Sequence, residues 1–482
     1  MTGMGWTARA AVTGCVALVA ACSVGPDYQR PELDVPAAYK EAAAAGWKPG
    51  RPGDHLDRGP WWSVYDDPVL DGLERQVEVS NQTLKASEAA YRQAVAALGQ
   101  SRAGFFPQVE ATPSATRSQP SAATGTTSGH KSRSAVRTSY EAGASLDWEL
   151  DVWGRIRGAV ERDQASAQAS AGDLASARLS AQATLASSYF QLRSADELKR
   201  LLDASAEAYA QSLQITRNQY AAGIASRADV VQAETQLKST QAQAINVEAT
   251  RATLEHAIAV LIGKAPADFA LAPAALARTV PEIPAGLPST LLERRPDIAA
   301  AERRVAAANA AIGVAVAGFY PDLTLSGSLS YAGSAMAGLF QAVNRVWSVG
   351  PQLSMMLFDG GKVSAQVEEA RAAWDESAAT YRQTVLAAFQ EVEDQLATLQ
   401  VLERQARVQA EAVASAREAE RLMLNQYRAG TVAYTNVVSA QTTALSNEQT
   451  ALTVLQDRLT ASVALIGALG GGWDREQLPE AP

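Results

Sequence analysis

The chain is written twice. Ala103-Gly104-Phe105-Phe106-Pro107 returns as Ala317-Gly318-Phe319-Tyr320-Pro321, and Asn218-Gln219-Tyr220-Ala221-Ala222-Gly223 returns as Asn425-Gln426-Tyr427-Arg428-Ala429-Gly430. Val230-Val231 and Val437-Val438 keep the spacing of the second pair, and Leu261-Ile262-Gly263 reappears as Leu465-Ile466-Gly467 after a slip of three. The two halves are therefore duplicates. The spacing between the copies shrinks by seven between Pro107 and Leu146, so the first copy is longer there, in the stretch that holds the polar segment Gln119–Arg137. Such length variation belongs in a loop tip.

Each half contains two runs in which apolar and polar residues alternate, the period-two signature of a strand with unlike faces. In the second half Leu323, Leu325, Leu329 and Tyr331 alternate with Thr324, Ser326, Ser328 and Ser330, and Trp347, Val349, Leu353, Met355 and Leu357 with Ser348, Gln352 and Ser354. In the first half Val109, Ala111, Pro113 and Ala115 alternate with Glu110, Thr112, Ser114 and Thr116; Tyr140, Ala142, Ala144, Leu146, Trp148 and Leu150 alternate with Ser139, Glu141, Ser145, Asp147 and Glu149. Runs of roughly ten residues match tilted strands crossing a bilayer, with one face toward lipid and the other toward a wet lumen. A soluble sheet with one wet face is the alternative, but no other strands are available to complete it and no cover is evident for its apolar face.

The segments between these hairpins read as helix. Residues 156–219 and 362–428 contain no Pro and almost no Gly, and at ~1.5 Å per residue they predict helices on the order of 95–100 Å long. Ala378, Val385, Val392, Leu399, Ala406 and Val413 recur every seven residues, with Trp374, Tyr381, Ala388 and Leu402 near the complementary position, as in a coiled-coil seam. Shorter helices are expected over 69–104, 224–262, 290–318 and 434–466, two of them end to end matching one long partner. Gly223 and Gly430 end the long helices in helical-hairpin turns.

Four strands cannot close a barrel, since about eight are needed to enclose even a filled interior. Several chains must share one: two copies would give eight strands and three would give twelve. Glu110, Glu141, Asp147 and Glu149 on the polar faces favour a wet lumen. Small side chains, with only 6% aromatic residues in a chain 47% hydrophobic, allow helices to approach closely around a ring that extends the tube.

Both cysteines, Cys15 and Cys22, lie at the very start of the chain, which leaves none to staple the rest. Arg9 gives a weakly basic start, Val16-Ala17-Leu18-Val19 an apolar stretch, and small residues precede Cys22, so 1–21 reads as a leader. Val19-Ala20-Ala21-Cys22 resembles a bacterial lipoprotein processing box that would make a lipidated Cys22 the first mature residue; an ordinary secretory signal with an incidental Cys is the alternative. Ser23 resembles the outer-membrane sorting signal. No run elsewhere approaches ~18 apolar residues, so any crossing must be made by strands.

These residues together resemble a known family, the TolC-type outer membrane factors, in the lipoprotein branch related to nodulation-type (NodT) efflux channels. The matching strings are Cys22-Ser23-Val24-Gly25-Pro26-Asp27-Tyr28, Pro60-Trp61-Trp62, Leu291-Leu292-Glu293-Arg294-Arg295-Pro296-Asp297-Ile298 with Ala301-Glu302-Arg303-Arg304, Ala308-Asn309-Ala310, Ile312-Gly313, Phe319-Tyr320-Pro321, Leu357-Phe358-Asp359-Gly360-Gly361 and Ala388-Phe389-Gln390-Glu391-Val392-Glu393-Asp394. The resemblance implies a mainly α homotrimer with duplicated halves, a shared twelve-stranded transmembrane barrel continued by a twelve-helix periplasmic tunnel, and an equatorial collar. The expected division is a leader over 1–21; an N-terminal and equatorial segment over 22–66; a first repeat over 67–263, with its β-hairpin at about 105–152; a linker over 264–288; a second repeat over 289–467, with its hairpin at about 319–358; and a tail over 468–482. Parts of 36–66, 264–290 and the tail would form the collar.

The resemblance further implies a passive outer-membrane exit duct for small molecules such as drugs, delivered by an inner-membrane pump of the proton-driven RND type through a periplasmic adaptor. An exit duct for protein secretion and a pore-free coiled-coil lipoprotein are the rivals. Adaptor docking falls on the tips, at Gly223, Ile224, Gly430, Thr431 and Val432. The gate falls on Asp229, Tyr427, Asn436 and Ser439, where Ser439 stands in place of an acid often found in the family and Asp229 is a surviving charge.

Other classes find little material. His55, His130 and His256 lack metal-ligand or triad spacing, and Glu391, Glu393 and Asp394 lie on a long helix where a solvated face or a seam is expected. No Gly-Lys-Ser/Thr phosphate loop occurs. No catalytic residue, cofactor or metal is expected. A net charge of -9, from 51 acids against 42 bases, gives no support to nucleic-acid binding.

Overall fold

The computed structural model describes residues 24–41, 60–119, 136–283, 288–473 and 475–478. Two helices of 67 residues, α3 (Arg155–Ala221) and α7 (Lys362–Arg428), set its length at about 100 Å. Each starts where an aspartate satisfies free backbone donors: Asp151 accepts from Ile156 N at 2.8 Å and Arg157 N at 2.9 Å, and Asp359 accepts from Gly361 N and Val363 N, both at 2.8 Å. Beside them run α4 (Arg227–Leu261) and α8 (Tyr434–Ala468), each of 35 residues.

The remaining shorter helices are not single. The stretch expected as one helix over 69–104 divides at Asn81 into α1 (Pro68–Ser80) and α2 (Gln82–Ala103). The stretch over 290–318 divides at Arg295 into α5 (Pro288–Arg294) and α6 (Pro296–Ala317). Arg295 is extended (φ -100°, ψ 120°) because the Pro296 ring disfavours helical geometry in the residue before it. Asn81 (φ -62°, ψ 124°) needs no proline: its side chain caps α2 by accepting from Leu84 N at 3.0 Å. The two breaks fall at corresponding positions of the two copies, so the division itself is duplicated.

The strands form one antiparallel sheet, β1 (Gln108–Ala111) with β2 (Ser114–Ser118), then β3 (Arg137–Glu149), β4 (Asp322–Gly333) and β5 (Arg345–Ser354). The first expected strand is interrupted at Pro113, which has no N–H for the ladder. Its two pieces keep one register on β3, from Gln108↔Asp147 to Ser118↔Arg137, and Thr112 N still donates to the Gly143 carbonyl at 2.9 Å. β5 stops at Ser354, short of the expected Leu357, because Ser354 pairs with Asp322 and the next residue of β4 in that register would be Pro321. β2 ends at Ser118 and β3 begins at Arg137, and most of the polar segment between them, 120–135, lies outside the described residues; 334–344 connect the second hairpin.

Burial concentrates in two places. Trp61, Trp62, Tyr65, Leu70, Leu185, Tyr189, Phe190, Ile258, Ile298, Tyr381, Val385, Leu459 and Val463 form a thick core near mid-length, and a second cluster near the hairpin tips contains Tyr209, Leu213, Val230, Leu237, Tyr427, Tyr434 and Val437. The heptad seam of α7 is buried at Ala378, Val385 and Val392 but only half-buried at Ala406 and Val413.

Candidate functional site

The sheet register decides which side chains share a face. Val109, Leu146, Gly327 and Val349 line one rung, and Ala111, Ala144, Leu329 and Trp347 the next. Trp148, Leu325 and Pro351 continue that face. The opposite face carries Glu110 with Ser145, Ser328 and Ser348; Asp147 with Ser326; Glu149 with Thr324 and Gln352; and Glu141 with Ser114. Glu110, Glu141, Asp147 and Glu149 therefore lie on one side of the sheet. Serines bind across this face, Ser326 Oγ to Asp147 Oδ1 at 3.0 Å and Ser328 to Ser348 at 2.8 Å, while Arg155 Nε donates to Glu149 at 2.8 Å.

The apolar face is bare. Trp347 is 66% exposed, Val349 65% and Leu353 66%, neighbouring apolar side chains of the kind that mark a membrane or partner surface. Among the described residues the outer edges of β1, β2 and β5 pair with nothing. No described helix is long and apolar enough to cross a membrane.

The other end is built by the duplicated tips. At Gly223 (φ +75°) and Gly430 (φ +72°) the backbone turns left-handed, which favours glycine. Gly223 N donates to the Tyr220 carbonyl at 3.0 Å and Ile224 N to Gln219 at 2.8 Å; Gly430 N donates to Tyr427 at 2.9 Å and Thr431 N to Gln426 at 3.0 Å. Gly223, Ile224, Gly430 and Thr431 are exposed and Val432 is half-buried.

Behind the turns the copies diverge. Ser226 caps α4 and Asp229 completes a capping box, its carboxylate accepting from Ser226 N at 2.9 Å while Ser226 Oγ accepts from Asp229 N at 3.2 Å. The equivalents in the second copy are Ala433, which offers no side-chain cap, and Asn436. Tyr427 is buried: its hydroxyl donates to Thr216 Oγ1 at 3.2 Å, and its ring packs 5.1 Å from that of Tyr434. Burial pushes both phenols up, Tyr434 to about 12, and the charge of Asp229 adds to the shift. The fold thus brings Asp229 and Tyr427 together, whereas Asn436 and Ser439 face solvent. Tyr434, Thr216 and the buried Gln441, whose amide donates to Ser212 Oγ at 3.3 Å, carry no signal of this role in the sequence; the packing of α7 and α8 on α3 of the other half brings these positions side by side.

Mid-length contacts explain the carboxylates of α7. Arg295 Nη1 donates to Glu391 at 2.6 Å and to the Ala468 carbonyl at 3.1 Å, and Glu393 accepts from Lys40 N at 2.7 Å and Glu41 N at 3.0 Å. Asp394 accepts from Gln390 at 3.3 Å. Glu74 on α1 is fully buried with neither carboxylate oxygen partnered among the described residues; burial, with Glu78 adding, pushes its pKa up to about 9. His256 is exposed, and His55, His130, Cys15 and Cys22 lie outside the described residues. Among the described residues no three or more His, Cys, Asp or Glu are grouped to hold a metal ion.

The segment 24–41 lies along α6 and α7. Asn309 Nδ2 donates to the Pro26 carbonyl at 2.9 Å, Tyr28 OH to Glu302 at 2.5 Å, and Arg30 Nε to Tyr381 OH at 3.0 Å. Gly25 meets Gly313, near the sheet end of α6, so closely that a Cβ on Gly25 would stand 2.8 Å from the Gly313 Cα.

Comparison with known proteins gives the same picture. The profile of the family described as "Outer membrane efflux protein" matches residues 73–264 and 287–471, two segments that coincide with the two halves of the chain. The chain is 31% identical to the toluene efflux pump outer membrane protein TtgC of Pseudomonas putida, over 95% of this chain and 94% of that one. It is 32% identical to the pyoverdine export outer membrane protein OpmQ of Pseudomonas aeruginosa, over 97% of each. The solved structure of the outer-membrane channel OprN superposes with a TM-score of 0.87 at 31% identity, over 94% of this chain and all of that one. The chain belongs to the outer membrane efflux protein family.

Proposed function

We propose that three copies of this chain form one continuous exit duct, a twelve-stranded barrel in the outer membrane continued by a twelve-helix tunnel into the periplasm. The observation that carries this reading is the two-faced sheet with both edges open. Unpaired strand edges are not tolerated against lipid, where each free N–H and C=O costs several kcal/mol, and a neighbour's β5 beside β1 and β2 removes them. Glu110, Glu141, Asp147 and Glu149 then line the lumen, and Trp347, Val349 and Leu353 meet lipid.

No chemistry is performed on the cargo. Small molecules arrive from an inner-membrane pump, of the proton-driven RND type, through a periplasmic adaptor that seats on the exposed tips at Gly223, Ile224, Gly430, Thr431 and Val432. Relatives at nearly equal identity are named for cargoes as unlike as toluene and pyoverdine, consistent with selection by the pump. Cys22 carries a lipid, as the small residues before it and Ser23 after it support. The closed tip is held by the Tyr427, Tyr434 and Thr216 contacts with Asp229 beside them, and Asn436 and Ser439 act at the surface between copies.

Reconstitution into planar bilayers tests the reading. Stepwise ion conductance is expected, with Asp229→Ala raising the leak of the closed channel more than Ser439→Ala does. A protein that never conducts contradicts the duct, and equal leak in Asp229→Ala and wild type contradicts the gate. Mass spectrometry of the mature amino terminus should find acyl chains on Cys22, and mild crosslinking through the tips should capture the adaptor.

A further inference from the structure

The charges of the barrel are sorted along its axis as well as between its faces. No Asp or Glu occurs in 111–140 or in 323–358, although the chain as a whole has 51 acids against 42 bases. Among the described residues these stretches hold β2, the first four residues of β3, β4 from Leu323 and all of β5, with Arg117, Arg137 and Arg345; Glu141, on the polar face of β3, is the acid nearest the loop end. Asp147, Glu149, Asp151 and Asp322 lie instead at the strand ends that lead into the helices.

Two of the arginines stand on the apolar face. Arg117 follows Ala115 on β2 and lies opposite Thr138; Arg345 precedes Trp347 on β5 and lies opposite Tyr331. Each occupies the loop end of its strand, where the apolar band stops. Both side chains are exposed, and neither forms an ion pair among the described residues. Arg137, by contrast, faces the polar side, opposite Ser118. Beside Arg345, the rings of Tyr331 and Phe340 meet edge to face at 5.5 Å, an aromatic pair at the level where a bilayer passes from hydrocarbon to headgroup.

A cation on a lipid-facing strand is tolerated where it can reach the interface. There a planar guanidinium matches a phosphate in a bidentate pair. We propose that Arg117 and Arg345 bind the phosphate groups of the bisphosphorylated glycolipid that forms the outer leaflet of a Gram-negative outer membrane. The proposal rests on the barrel reading above. The two arginines lie on opposite edge strands of the sheet, so closing a barrel from several copies brings a β2 edge against a β5 edge. The glycolipid then bridges the seam between neighbours and secures the assembly from outside. Glu141, the acid nearest these arginines along the described strands, lies on the opposite face of the sheet.

The test uses the purified full-length oligomer in detergent, titrated with bisphosphorylated lipid A while thermal dissociation is followed. Wild type should be stabilised by lipid A and not by its dephosphorylated form or by inorganic phosphate at equal concentration. Arg117→Gln and Arg345→Gln should each weaken the apparent affinity roughly five-fold, and the double variant should lose most of the response. Arg137→Gln, on the other face, should respond as wild type. An undiminished response in the double variant, or an equal response to dephosphorylated lipid A, overturns the proposal. Conductance of the same preparations in phospholipid bilayers separates the two claims: if all conduct but none responds to lipid A phosphates, the glycolipid site fails and the duct stands; if wild type does not conduct, the duct fails and the glycolipid site falls with it.

Discussion

The two halves share a backbone plan and hold it with different chemistry. At the tip of the first half, α4 is capped by its own Ser226 and Asp229; Tyr220 before the turn is 46% exposed. The second half has lost the cap, and Tyr427, equivalent to Tyr220, is 5% exposed and tied to Tyr434 and Thr216. The helix breaks also differ in chemistry. Asn81 closes the first with a side-chain cap and donates from Nδ2 to the Leu261 carbonyl, at the end of α4, at 2.7 Å. Arg295 closes the second through Asp297, Glu391 and the Ala468 carbonyl, at the end of α8. At the tips the first copy thus relies on a local cap and the second on the contact of Tyr427 with Thr216 in the other half, whereas both helix breaks are tied to the end of a distant helix.

The largest effect that would sharpen this contrast is at Arg295. Arg295→Ala removes a buried guanidinium with its bonds to Asp297, Glu391 and the Ala468 carbonyl and should cost roughly 3–4 kcal/mol, whereas Asn81→Ala should cost about 1–2 kcal/mol; equal shifts in denaturant midpoint would break the comparison. Next, Tyr427→Ala removes a buried ring and should cost roughly 3–4 kcal/mol and raise the closed-channel leak. Tyr220→Ala should leave the leak within error of wild type; a matching rise would show the tips to be equivalent.

Glu74 offers a test confined to the first half, since the corresponding position of the second copy is Pro288. Its carboxyl is raised to about 9 in the fold from an ordinary 4.5, so folding at neutral pH must take up a proton. Stability is full below the unfolded value and falls as pH rises toward the folded one, by roughly 3 kcal/mol at pH 7. Glu74→Gln should remove this slope in denaturant titrations run between those two limits, and an unchanged slope would assign the loss elsewhere. The smallest effects are at the caps: Ser226→Ala should destabilise by about 1 kcal/mol, and Ala433→Ser should stabilise by up to about the same amount. Hydrogen exchange at the first turns of α4 and α8 reads both, and no gain for Ala433→Ser would mean that the second cap is not limiting.

Much of the architecture can be read from the residues because its signals are long. Strict alternation across β3 and β4, and the absence of Pro through α3 and α7, leave few competing folds. The differences are local. Pro113 and Pro296 are both visible, and each breaks an element at the place where its missing N–H or its ring acts; the break at Asn81 has no such marker, because Asn caps only when the chain already turns there. Glu74 follows Leu70 by four positions and precedes Val77 by three, the spacing of a buried stripe, so its burial is legible although its identity argues for the surface. The tip residues divide in the same way. Gly223 and Gly430 announce their turns, while the packing of Tyr427 on Tyr434 exists only once α7 and α8 fold back on each other.

The most direct test of a barrel shared among copies is the mass of the detergent-solubilised, folded protein, measured by light scattering with the detergent contribution subtracted. Three chains per particle is the predicted result. A stable single chain, with β1, β2 and β5 still protected from exchange along their outer edges, would contradict it.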